Sequence, residues 1–283
     1  MCQKRIVDNS SPLCYTFHRM TEFLISVITA TAIQIIGLVG IFFILGFLLS
    51  KLQEWTQKNY FRSVGWKGIL WTAWIGTPIH ELGHIFFAKL FRHRITRVAI
   101  FQPNADTGEL GHVDHSYSPS SLYQKIGNFF IGAAPMIFGS LVLFALVYWL
   151  LPNGDAAFLP LTEKHGSLNG ALSAIRKTLG AFLSWENGRQ WYFWLFLYIS
   201  FSIGSHLAPS KADRKSMWSG LRWIIGVLLL LNIFTVLFRL DATRYILASA
   251  KYLSIAASLF VYALIISFAH WVFSLGLRVV ARR

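Results

Sequence analysis

The sequence predicts an all-α polytopic membrane protein with about six transmembrane helices, a short β-hairpin and an interfacial amphipathic helix. Three observations carry this. Of 283 residues 55% are hydrophobic and only 13% charged, against roughly 25% charged in an ordinary soluble domain. Mean hydropathy is +0.51, with 24 Phe and 11 Trp. Several apolar stretches are each long enough to cross ~30 Å of hydrocarbon at ~1.5 Å per residue. These properties exclude a soluble enzyme, a disordered chain and a collagen-like or repeat protein. The net charge of +14 does not point to nucleic acid. The Lys and Arg residues lie in short segments between apolar runs, as membrane-flanking anchors do, and no basic stripe interleaves with aromatics. The expected medium is therefore the lipid bilayer.

The stretches follow in order. Residues 23–50, 126–154, 190–210 and 252–277 contain no Asp, Glu, Lys or Arg. Residues 216–238 form a fifth stretch, with Arg222 near one end and free to snorkel. The remaining stretch, 68–88, is interrupted by His80, Glu81 and His84. The first run is too long for the apolar region of a cleaved signal and reads as a signal anchor. Cys2 and Cys14 make no disulfide framework.

Between the second and third stretches, Arg97–Pro103 and Gly111–Tyr117 flank Asn104-Ala105-Asp106-Thr107-Gly108, a pattern that fits a β-hairpin. Between the third and fourth, Leu168, Ala171, Leu172, Ile175, Leu179, Phe182 and Leu183 recur at helical spacing, with Arg176 and Lys177 opposite. That spacing predicts an amphipathic helix on the membrane surface. Six crossings put both termini on one side. That side collects 15 of the 26 Lys and Arg, so the multi-pass chain is expected to keep its termini in the cytoplasm.

His80-Glu81-Leu82-Gly83-His84 carries the chemistry. On a helix, positions i and i+4 share a face, so both imidazoles can bind one metal while Glu81 stands beside it as general base. With 9 His in the chain, chance supplies roughly 0.006 such motifs. An ionisable group in the bilayer costs about 2.5–3.5 kcal/mol even on the lenient insertion scale, so three within five residues call for a compensating partner. A bound cation is one. A polar cluster packed against other helices, or a proton relay, is the alternative.

A catalytic zinc takes a third protein ligand and keeps an open position. The fourth stretch ends in Ser205-His206-Leu207-Ala208-Pro209-Ser210-Lys211-Ala212-Asp213. Pro209 breaks the helix and can fold the chain back, carrying Asp213 from the end of the fourth span to the metal. His206 is the second choice, as ligand or as a group orienting a ligand or substrate. A solvated loop carboxylate is the other reading of Asp213. Asn128, at the start of the third stretch, could bond to the metal-site loop. Among His112, Asp114 and His115, a second metal site competes with ordinary solvated loop residues. His270 reads as a packed or hydrogen-bonded helix residue.

His-Glu-Leu-Gly-His inside an apolar helix resembles the site-2 protease family of intramembrane zinc metalloproteases. The basic Arg92-His93-Arg94, the strand-like Val98–Pro103 and the small-residue Gly132-Ala133-Ala134-Pro135 are similar too. The resemblance covers roughly residues 68–220. It implies a three-helix metalloprotease core there, after an N-terminal segment and first helix over 1–67 and before C-terminal helices over 221–283. It also implies zinc as cofactor, His80 and His84 as ligands, Glu81 as general base and a transmembrane protein or peptide as substrate. Where the family has Asn-x-x-Pro and then Leu-Asp-Gly, this chain has His206-Leu207-Ala208-Pro209 and then Ala212-Asp213-Arg214. The site thus resembles a divergent branch. The expected reaction is peptide-bond hydrolysis. A zinc-binding scaffold without proteolysis is the first alternative and a transporter the second.

Overall fold

The computed structural model describes residues 12–151, 154–163, 168–182, 184–240, 243–244 and 250–281. Cys2 and Leu183, named above, lie outside them, as do Lys4, Arg5, Arg282 and Arg283 among the 15 basic residues counted. The described residues are mostly helical, with one two-stranded antiparallel sheet among them. In order it forms α1 (Pro12–Ile35), a π-helical turn (Ile36–Gly40), α2 (Ile41–Val64), α3 (Trp66–Leu90), β1 (Arg94–Ala99), β2 (His112–Ser116), α4 (Leu122–Leu150), α5 (Gly154–Thr162), α6 (Leu168–Phe182), α7 (Trp185–Gly188), α8 (Trp191–Gly204), α9 (Lys211–Leu237) and α10 (Ala250–Val280).

Among the described residues, four helical stretches are long and apolar enough to cross a membrane: His18–Val64, Leu122–Leu150, Lys211–Leu237 and Ala256–Val280. The other two of the six apolar stretches fold as α3 and α8 and fall short on that measure. In α3 the polar triplet His80, Glu81 and His84 and the flanking Lys67 and Lys89 dilute the hydropathy. With 14 residues, α8 is only about 21 Å long.

The first helix also runs past its apolar stretch. It continues beyond Ser50 because Leu45, Leu49, Leu52, Thr56 and Asn59–Tyr60 keep one face buried. That face meets α10, where Tyr60 Oη lies 2.8 Å from His270 Nε2 and Asn59 Nδ2 donates to Ser274 Oγ at 3.0 Å. His270 is thus a packed, hydrogen-bonded residue, stacked on Phe201. Near the π turn, Gln34 and Asn232 exchange amide hydrogen bonds of 3.0 and 2.9 Å, and Asn232 also donates to Thr31. Both amides are buried, and their pairing ties α1 to α9.

The main core gathers Leu49, Leu143, Phe196, Ile203, Tyr262 and Ile266 from α2, α4, α8 and α10. Residues from all three expected segments therefore share one interior. A second cluster joins Phe129 and Ala133 of α4 to Met217 and Leu221 of α9. In α6, Arg176 and Lys177 are exposed as expected. Its apolar stripe is divided, however: Phe182 and partly buried Ile175 pack on the core while Leu172 stays 54% exposed.

The hairpin forms with a shifted first strand. Here α3 closes through left-handed Arg92 (φ 59°), with His93 N–H donating to the Ala88 carbonyl at 2.8 Å. The chain is then already extended at Arg94, three residues before the expected start. Arg94 pairs with Ser116 and Ala99 with His112, with an irregularity between Ile95 and Arg97. Beyond these strands, Gln102 N–H donates to Leu110 O and Asn104 N–H to Glu109 O, both at 2.7 Å. Asn104 Oδ1 accepts from Asp106 N–H at the tip.

Candidate metal centre

One turn of α3 supplies three of the expected site residues. His80 and His84 project on one face, their ring centroids 5.0 Å apart. Each ring is fixed by a backbone carbonyl. His80 Nδ1–H donates to His206 O at 2.7 Å, and His84 Nδ1–H donates to Ile131 O at 2.9 Å. That choice of tautomer leaves both Nε2 lone pairs for a shared ligand. Asp213 meets them: Oδ2 lies 3.6 Å from His80 Nε2 and Oδ1 3.3 Å from His84 Nε2. One ligand atom from each of the three residues lies within 4.8 Å of the others, so the group could hold a metal ion. Glu81 is 5% exposed and lines the same cavity, which holds about 650 Å³.

Asp213 arrives differently from the sequence expectation. It belongs to the first turn of α9, not to a turned-back segment past the end of the fourth stretch. A loop over residues 205–210 follows α8, and Ser210 caps α9. Ser210 Oγ accepts from Asp213 N–H at 3.1 Å, and Asp213 Oδ2 accepts from Ser210 N–H at 2.7 Å. This reciprocal capping box orients the carboxylate before any ion is present. Gly132 permits the approach of α4, since a Cβ there would stand 2.3 Å from the Asp213 carbonyl oxygen.

The ring of His206 is outside the three-residue group. Its carbonyl positions His80, its Nδ1 lies 3.0 Å from both Ser202 O and Ser205 Oγ, and its buried Nε2 has no hydrogen-bond partner. Asn128 is buried in α4, and its carbonyl accepts from Ser216 Oγ at 3.1 Å, linking α4 to α9. It is not among the residues lining the cavity.

The hairpin forms one wall of the cavity through Glu109, His112, Asp114 and His115. His112, Asp114 and His115 do not form a metal group among the described residues. His115 pairs instead with His93, Nδ1 to Nδ1 at 3.0 Å, and His93 Nε2–H donates to Gln124 O. Burial, followed by the neighbouring His93, pushes the His115 pKa down to about 4. Burial also lowers that of His93, opposed by the Gln124 carbonyl.

Two further wall residues lie outside the motifs of the sequence. Gln53 and Gln57, one turn apart on α2, line both this cavity and a neighbouring one of about 560 Å³. Gln53 Oε1 accepts from Ala208 N–H at 2.9 Å and so ties α2 to the loop before Asp213. Their polar i,i+4 spacing on α2 was the available signal.

No family model, curated protein or solved structure matches this chain.

Proposed function

We propose that the chain is an intramembrane zinc metalloprotease that hydrolyses peptide bonds of membrane-embedded protein or peptide substrates. The observation that carries this reading is the convergence of His80, His84 and Asp213 beside Glu81 on one cavity. Two imidazoles and one carboxylate, with both rings turned by carbonyl partners, fit a zinc ion that keeps a position open. Zinc held there would polarise the scissile carbonyl and bring the pKa of water toward ~7.

The chain's own groups supply the rest. Glu81 takes a proton from the attacking water as the new C–O bond forms. It returns that proton to the departing amine as the C–N bond breaks. A substrate helix hides its carbonyls in i→i−4 bonds, so it must unwind locally before attack. The edge of the β1–β2 sheet can hold the unwound stretch as an added strand. In the bilayer, the proposed topology has six crossings, counting α3 and α8, cytoplasmic termini and α6 at the interface.

The test uses purified protein in zinc-loaded proteoliposomes with detergent-extracted membrane proteins as the substrate pool, new termini being mapped by mass spectrometry. The proposal expects cleavage that Glu81→Gln reduces by about 10²–10⁴-fold while zinc stoichiometry stays at one. Zinc bound without cleavage would favour the non-proteolytic scaffold. A protein without zinc would return the histidines to a proton- or ion-carrying role, as in a transporter.

A further inference from the structure

We propose that α2 and α9 hold one anionic phospholipid, with an acyl chain in the apolar groove between them and the phosphate on a stripe of four cations along α9. The site lies beside the metal centre and is independent of the hydrolase reading.

The groove is the cavity of about 560 Å³ that shares Gln53 and Gln57 with the metal centre. Its size falls within the ~300–1,000 Å³ range of small-molecule pockets. Phe42, Phe43 and Phe47 of α2 face Met217 and Trp218 of α9 across it, and the buried Met136 of α4 also lines it. Phe43 stacks on Trp218 with ring centroids 5.4 Å apart, which fixes the indole. Both helices belong to stretches long and apolar enough to cross a membrane. Phe47 and Trp218 are nonetheless 61% and 58% exposed, so the groove offers ring surface for an acyl chain to cover.

The stripe begins where the groove ends. Lys211, Arg214, Lys215, Trp218 and Arg222 recur at helical spacing on one face of α9. They line an open basin of about 720 Å³, and none of the residues lining it is acidic. Arg214 and Trp218 line both the basin and the groove, so the two meet at these side chains. All four cations are exposed. The nearby carboxylates are engaged elsewhere: Glu54 with Lys51 and Lys58, and Asp213 with the two imidazoles. Arg214 is also oriented. It donates from Nη1 to Pro209 O at 2.7 Å, which holds the guanidinium and leaves its other N–H donors for a phosphate.

Arg222 points to the same ligand. It stands about three turns beyond Lys211, inside the apolar stretch 216–238. A cation without an anionic partner is costly where lipid replaces water. Side chains on a helix lean toward its N-terminus, and here that direction leads to Trp218 and Lys215. A phosphate among these groups serves all four cations. Free phosphate or an acidic peptide would use the stripe and leave the groove empty. A neutral lipid would fill the groove and leave the cations without a partner. A phosphate also offers more acceptor oxygens than the carboxylate of a fatty acid, which suits a guanidinium fork flanked by two ammonium groups.

The experiment uses the purified full chain in neutral detergent. Native mass spectrometry counts retained lipid as dioleoyl phosphatidylglycerol is titrated against dioleoyl phosphatidylcholine, with oleate and inorganic phosphate as separate competitors. One phosphatidylglycerol per chain is expected, preferred over phosphatidylcholine by about 10²-fold. That preference should fall about fivefold for each cation removed, in Arg222→Gln and, twice over, in Lys211→Gln combined with Lys215→Gln. Gly46→Leu places a side chain in the groove against Met136. It should weaken both lipids by about tenfold and leave the preference unchanged. Equal retention of the two lipids would overturn the proposal, as would a parent-like preference in the neutralised variants or parent-like retention in Gly46→Leu. Displacement of phosphatidylglycerol by an equal concentration of oleate or inorganic phosphate would overturn it too. Thermal melts check that each variant is folded. Should the double variant or Gly46→Leu fail to fold, Arg222→Gln on the exposed helix surface decides: a parent-like preference there would overturn the proposal.

Discussion

At the scale of single residues, Asp213 has two tasks at once, facing two imidazoles and capping α9. Ser210→Ala removes one side of the cap. It should cost about 0.5–2 kcal/mol of stability and about 10–100-fold in zinc affinity, because the carboxylate loses an orienting partner. Asp213→Asn keeps an oxygen for the cap but removes the ligand's charge. It should lose more zinc affinity and less stability than Ser210→Ala. Thermal melts and zinc competition titrations separate the two. The His-Glu-His part of the site was legible because one helical turn contains it. Asp213, expected just past the end of the fourth stretch, lies in the first turn of α9, and Ser210-x-x-Asp213 is itself a helix-start signature. Pro209 lies in the loop after α8, and α9 begins two residues later at Lys211.

The histidine pair beneath the hairpin makes a pH prediction at the same scale. His115 titrates near 4 in the folded protein, below its ordinary value of 6.5. The unfolded chain therefore binds more protons between those values, and stability rises with pH across that window. Hairpin docking is fully favoured above about 6.5 and weakens as pH falls toward 4. Hydrogen exchange of Arg94–Ala99 amides, corrected for intrinsic rates, should rise as pH falls over that interval, and His115→Phe should reduce the dependence to the share of His93.

Among the elements, α2 shows what charge-free runs miss. A search for uncharged stretches stops at Ser50, yet Leu45, Leu49, Leu52 and Thr56 carry the helical period onward. The part beyond Ser50 brings Gln53 to the loop of Ala208. Gln53→Ala should leave Ala208 N–H unpaired at a cost of about 1–3 kcal/mol. It should also weaken zinc binding, because the same loop presents the His206 carbonyl to His80. Gln53→Glu keeps the acceptor and should lose less of both, as melts and zinc titration would read. The hairpin was legible from its Asn104–Gly108 tip. Its first strand starts early because left-handed Arg92 ends α3 abruptly, a backbone event without a side-chain signature. The stripe on α6 predicted the helix but not its division, since period alone does not say which apolar neighbours pack inward.

Across the whole molecule, composition was enough to place the chain among membrane proteins, and four helices meet the length and hydropathy needed to cross. The difference from six has two causes: the polar residues of α3 dilute its hydropathy, and α8 has only 14 residues. The proposed topology is open to a direct measurement. With both termini cytoplasmic, terminal tags should resist external protease in sealed cells, and a tag inserted in the 163–168 segment should be digested. The reverse pattern would invert the topology.

The reciprocal amides of Gln34 and Asn232 bear on the depth of the cavity. They grip α9 some 28 Å, at ~1.5 Å per residue, from the turn that presents Asp213. Sliding α9 along its axis would strand two amide groups where lipid offers no replacement partner. The pair acts as a distant latch on axial travel, so that how far the carboxylate reaches between the two imidazoles is set from the opposite end of the rod.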